Sequence, residues 1–150
     1  MKWRFLEPND FKWMMNVSKK HHKESDWSEV EYSDDKVKGY INTALSDPNY
    51  FAIVVEKDEE KIGFMAGRLL EYSFSHEKFA RELDLYVVPS ERKGMTGIFM
   101  MKKFMDWAKI NNAVEVLFEP RLSDKAIKKF DAMAKRLGME HFANAYRRKL

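Results

Sequence analysis

The chain contains no cysteine, only six glycines and four prolines in 150 residues, and no excess of either charge worth the name. Without thiols there can be no disulfide, thiolate nucleophile or Cys-ligated metal, so packing alone must hold the fold. The scarcity of Gly and Pro leaves no linker, and no repeat or low-complexity block interrupts the chain, so one domain over residues 1–150 is the economical reading. Lys and Arg number 27 against 24 Asp and Glu, and a balance of +3 gives no ground for a nucleic-acid partner. No apolar run approaches the roughly 18 residues that cross a bilayer, and the first ten residues lack the apolar stretch of a secretory signal. The expectation is a cytoplasmic protein with no membrane partner. What the chain has instead is packing material: eleven Phe, six Tyr, four Trp and ten Met.

The apolar pattern predicts a strand over residues 2–7, then a turn and helix start at Pro8-Asn9-Asp10, with Phe11, Met14 and Met15 on one helical face before the helix frays into the polar residues 18–25. Ser33 caps a second helix in which Val37, Tyr40, Ile41, Ala44 and Leu45 recur at three- and four-residue spacing. Residues 50–56, rich in β-branched and aromatic side chains, turn through 57–60 into residues 61–70 as an antiparallel hairpin, and a further strand follows over 80–88. Residues 97–111 place Ile98, Met101, Phe104, Met105 and Ala108 on one helical face. Residues 114–119 alternate as a strand, Ser123 caps a last helix carrying Ala126, Ile127, Phe130, Met133 and Leu137 up to Gly138, and residues 142–150 read as a final strand. Strands separated by helices run parallel as a rule, so the order implies an α/β fold: a mixed sheet with helices on both faces.

The most informative stretch is residues 83–107, a strand, a Pro, a short basic loop with two glycines, and a helix N-terminus. A helix start presents backbone N–H groups without intrahelical partners and the positive end of the dipole, which suits a phosphate or pyrophosphate. The competing reading is that Gly94 and Gly97 only permit a tight turn.

Val87-x-Pro89-x-x-Arg92, then Gly94, Thr96, Gly97 and a helix ending in Asp106-Trp107-Ala108, resembles motif A of the GNAT superfamily of N-acetyltransferases. The surrounding element order, through Leu137-Gly138-Met139, is similar as well, and the detail Gly94-Met95-Thr96-Gly97-Ile98 looks most like small members encoded by bacteriophages. The resemblance implies a single-domain GNAT-like α/β fold with acetyl-CoA as co-substrate. The strand at Leu85 to Val87 would pair with the pantetheine arm, and Arg92 with the N–H groups of Lys93, Gly94, Met95, Thr96, Gly97 and Ile98 would hold the pyrophosphate. Two positions depart from the family pattern. Met95 stands where the middle Gly of the loop belongs, and the late-helix Tyr of many members is Ala134 or Phe130 here, according to the direction of counting.

Direct transfer to an amine needs a base for the acceptor ammonium. Strand alternation places Glu82, Asp84 and Tyr86 on one face, so Glu82 and Asp84 are the candidate bases and Tyr86 a weaker candidate acid. The family commonly uses an acidic residue in this strand; solvated positions on a partly exposed strand are the competing reading. Residues 26–35 carry five acids and no Lys or Arg. Asp26, Glu29 and Glu31 with Trp27 and Tyr32 would suit a cationic amine such as a lysine side chain, a polyamine or an aminosugar, while helix-start acids on a solvated loop would look the same. The four histidines do not share metal-ligand spacing, so no metal is expected, and they read as surface residues. A homodimer is compatible with such a chain. Two further classes stay open: a catalytically degenerate GNAT-fold binding module, and a nucleic-acid-binding protein using the basic faces of the last helix and tail.

Overall fold

Five strands lie side by side in chain order: β1 (Lys2–Phe5), β2 (Tyr50–Lys57), β3 (Glu60–Glu71), β4 (Lys78–Val87) and β5 (Ala113–Leu117). The computed structural model describes residues 1–120, 124–143 and 147–148, and in these the helices are α1 (Phe11–Glu24), α2 (Asp34–Ser46), α3 (Thr96–Ile110) and α4 (Asp124–Arg136). β1 through β4 pair antiparallel and β4 pairs parallel with β5, which makes the expected mixed sheet.

β2 is buried from Phe51 to Val55 on both faces, as its unbroken apolar run requires. It returns as β3 through Asp58-Glu59, both left-handed (φ 51° and 67°), the backbone of a two-residue hairpin turn. One core lies between the sheet and α3, where Met100, Phe104 and Ala108 meet Phe51, Ile53, Met65 and Leu69. The other lies under α1 and α2, where Met14, Val17 and Ile41 cover Phe64 and Tyr86. Helices therefore flank both faces. α4 ends before Gly138, whose left-handed φ of 71° closes the helix.

Three expectations need correction. α1 runs on to Glu24 instead of fraying at Ser18, because His21 and His22 pack their rings against Tyr86 and Tyr32. β1 and β2, although separated by helices, run antiparallel: a single helix brings the chain back to the end from which it set out, and a second helix returns it to the opposite end. Of the expected last strand, Phe142, Ala143, Arg147 and Arg148 form none, and the rest of that segment lies outside the described residues, as does Ser123.

Asp10 does not cap α1 with its side chain. Its carboxylate is fully buried and accepts from Arg4 Nη1 (2.6 Å) and Nη2 (2.9 Å), Lys61 Nζ (2.6 Å) and the amide of Glu7 (2.9 Å). Arg4 also reaches Glu56 at 2.8 Å, so the cluster ties β1, β2 and β3 to the start of α1. Burial alone would raise the Asp10 pKa, but the bonds from Arg4, Lys61 and Glu7 reverse this and hold the carboxyl far below the ordinary range. A depressed folded-state pKa contributes stability that is complete above the unfolded value of about 4 and is lost as pH falls below it. Asp10→Asn is expected to cost about 2 kcal/mol at pH 7 in urea unfolding, because Arg4 and Lys61 lose their charged acceptor. The variant should also lose less stability than the wild type between pH 5 and pH 3; an identical acid limb would show that other carboxylates set it.

Candidate active site

The β3–β4 register runs Met65↔Leu85, Ala66↔Asp84, then Gly67↔Glu82, so Leu83 is an extra residue, a β-bulge in β4. Directly paired residues share a face and neighbours on β3 alternate. Asp84 and Tyr86 therefore face α1 and α2 while Glu82 faces the α3 side. This corrects the single face expected for all three, since the bulge resets the alternation. Gly67, opposite Glu82, has no room for a Cβ, which would overlap the Phe104 ring of α3.

β4 pairs with β5 only from Lys78 to Arg81, after which the parallel strands part. Glu82 is the first β4 residue beyond the last pair; its carboxylate stands 3.4 Å from the amide of Glu119, just past the end of β5. Val88 N–H donates to Ile62 O at 2.9 Å, so alternation turns the main-chain groups of Tyr86 toward β3 and those of Leu85 and Val87 into the gap.

The gap leads to the start of α3. Phe99 N–H donates to Met95 O at 2.9 Å; the amides of Thr96, Gly97 and Ile98 precede that bond in the first turn and have no helical acceptor. Met95 is 57% exposed, so its side chain does not fill the loop, and neither Gly94 nor Gly97 has a left-handed φ. The loop does turn there, the Gly94 amide donating to Glu91 O at 3.2 Å, but without a backbone conformation that requires glycine. Arg92 is engaged within the chain: Nε donates to Val87 O at 2.7 Å, Nη2 pairs with Glu24, and the guanidinium lies over the Tyr86 ring at 5.3 Å. It locks the loop onto β4 and α1, and Lys93 is exposed beside it.

A cleft of about 830 Å³ opens between the parted strands, α1, α2 and α4. Glu82, Asp84 and Leu85 line it, with Trp27 and Glu31 on the α1–α2 wall and Phe130 and Met133 from α4. Asp26 and Glu29 are outside that lining; the Asp26 carbonyl accepts from Arg147 Nη1 at 3.2 Å. A Cβ on Gly97 would stand 3.7 Å from Met133 Sδ, so the first turn of α3 abuts the wall of the same cleft. Tyr86 is not part of the lining. It is 3% exposed and stacked on Phe64, and burial, then Glu24, raises its pKa against an opposing effect of Arg92. Among the described residues no group of acids and histidines is arranged to hold a metal ion.

Two cleft residues, His21 and Arg68, escaped the sequence reading, whereas Tyr32 lines the cleft with Trp27 as expected of the pair. His21 lies with Nε2 3.3 Å from Asp84 Oδ1, so it is no plain surface residue. Tyr32 turns a buried hydroxyl without a partner toward the cleft; burial, then Asp34 and Asp84, raises its pKa and keeps it protonated at neutral pH. Arg68 of β3, the second missed residue, lines the same cleft. Helical spacing held a signal for the first: His21 continues the face of Met14 and Val17 once α1 is carried past Ser18. No local pattern marks Arg68.

A β-strand thus parts from its neighbour with main-chain groups turned into the gap, it is followed by a helix N-terminus without a side-chain cap, and Glu82 and Asp84 line the cleft between them. Residues 13–133 match the model of the acetyltransferase (GNAT) family. The chain belongs to that family; it is a GNAT-type acyl-CoA N-acyltransferase with acetyl-CoA as its co-substrate. No curated protein sequence matches it. Among solved structures it is similar to a predicted acetyltransferase with acetyl-CoA from Clostridium acetobutylicum (14% identity, TM-score 0.78, covering 99% of this chain and 95% of that one). It is also similar to an aminoglycoside 6'-N-acetyltransferase from Acinetobacter haemolyticus (16%, 0.74, 100% and 99%). A third is an aminoglycoside acetyltransferase from an uncultured soil metagenomic sample, in complex with sisomicin (16%, 0.70, 99% and 96%). At these identities the likeness is one of fold, and none of the three supports the resemblance to phage-encoded members. No helix among the described residues is long and apolar enough to cross a membrane.

Proposed function

We propose that the chain transfers the acetyl group directly to a primary amine held in the cleft, with Glu82 as the base. The observation that carries this reading is the parting of β4 from β5 after Arg81, beside which Glu82 stands, with the first turn of α3 against Met133 of the same cleft. Acetyl-CoA supplies the activated thioester. Leu85 and Val87 offer main-chain groups to its pantetheine arm, and the amides from Lys93 to Ile98 suit its pyrophosphate. Glu82 takes a proton from the acceptor ammonium; the N–C bond then forms as the C–S bond breaks, and the leaving thiolate is protonated from solvent. Asp84 and Glu31 draw the cationic amine in, and Trp27 offers its ring to it. An aminosugar, a lysine side chain and a polyamine all offer the primary amine that these groups require.

Phe130 lines the cleft without a hydroxyl, which favours a second reading, a binding module that has lost turnover. Two measurements separate them. Acetyl-CoA at 100 times its dissociation constant should stabilise the native state by about 2.7 kcal/mol in a thermal melt, and amines added to that complex should release free CoA thiol. Stabilisation without thiol release from any amine selects the binding module. No stabilisation overturns the site itself.

A further inference from the structure

Arg68 lies on β3 between Tyr50 of β2 and Arg81 of β4, two residues beyond Ala66, the partner of Asp84. It shares the α1–α2 face of the sheet with Asp84 and lines the same cleft, beside Tyr40 and Tyr50. Its Nε is buried without a hydrogen-bond partner. Its neighbour Arg81 is neutralised by Glu119, whereas no ion pair among the described residues includes Arg68. A guanidinium half withdrawn from water and unpaired is costly, and a nearby carboxylate would relieve that cost. Of the cleft's acids, Glu119 is taken by Arg81, and no ion pair among the described residues joins Arg68 to Glu31, Glu82 or Asp84.

We propose that Arg68 is an anion-binding subsite for the acceptor, and that the substrate class is an amine that also carries a carboxylate. This deepens the acetyl-transfer reading and rests on it. The amine end lies in the gap, where Asp84 and the base Glu82 both line the cleft, and the carboxylate takes the planar fork of Arg68, whose backbone lies about 7 Å along β3 from Ala66, the partner of Asp84, at the rise of an extended strand. A linear acceptor with four or five methylenes between its charges spans that separation.

The test compares 6-aminohexanoate with hexylamine, which offer the same amine on similar chains and differ in the carboxylate. In the wild type the kcat/KM for 6-aminohexanoate should exceed that for hexylamine by about tenfold or more, expressed in KM, as one charge-assisted hydrogen bond provides. In Arg68→Met the ratio should fall to about one, and in Arg68→Lys it should be intermediate, because an ammonium keeps the charge and loses the fork. A wild type indifferent to the carboxylate, or an Arg68→Met enzyme that keeps the preference, overturns the subsite. If neither amine is acetylated, calorimetric titration of 6-aminohexanoate into the CoA-bound protein decides: binding that Arg68→Met abolishes supports the subsite, and no binding to the wild type overturns it. The acetyl-transfer reading fails separately, through thiol release across other amines. Should Arg68→Met not fold, the wild-type comparison still decides.

Discussion

Glu82→Gln is expected to lower kcat by about 10²-fold or more at neutral pH while the affinity for acetyl-CoA stays as it was. An amine with a pKa near 10 is almost wholly protonated at pH 7, and its lone pair is available for attack only after the proton has gone. Glu82 stands where β4 leaves β5, at the inner end of the gap into which Leu85 and Val87 turn their main-chain groups. Gln keeps the size and the hydrogen-bonding reach toward the Glu119 amide but cannot accept the proton. The deficit should shrink as pH rises toward 10, because the free amine becomes abundant without help; a plain structural defect would persist at every pH. Full activity in Glu82→Gln would move the base to Asp84, whose carboxylate faces the other side of the sheet beside His21.

Gly97→Asp should weaken acetyl-CoA binding by about 10²-fold, equivalent to about 2.7 kcal/mol, the size of one or two lost charge-assisted hydrogen bonds. The fold has room for the change. A Cβ at this position would meet Met133 at 3.7 Å, an ordinary contact, and the backbone there is not left-handed. A carboxylate in the first turn is also favourable to the helix dipole, so α3 should be no less stable. The loss is electrostatic: the new carboxylate competes for the same amides and repels the phosphates. Gly97→Asn, similar in size and uncharged, should lose markedly less. If calorimetry finds normal binding in Gly97→Asp with an unchanged melting temperature, the pyrophosphate does not lie at the start of α3.

By itself the sequence determined most of the elements and the loop and helix start that follow β4. The aromatic and β-branched run of β2, the apolar stripe of α3 and the spacing from Val87 to Gly97 are each short-range patterns, and each describes an element that forms where expected. Helix-start amides are a property of a local backbone, so the start of α3, where the cofactor's pyrophosphate is proposed, was legible too. What only tertiary structure decided lies where strands meet. The bulge at Leu83 is a mismatch between β3 and β4, and it separates Glu82 from Asp84 although their spacing along the chain puts them on one face. The parting of β4 from β5 after Arg81 depends on where a parallel partner stops, which neither strand records alone. His21 reaches Asp84 across 63 residues of chain, and Arg68 enters the cleft because β3 sits between Tyr50 and Arg81. Periodicity reports which side of its own element a residue occupies; pairing and packing between elements decide what that side faces.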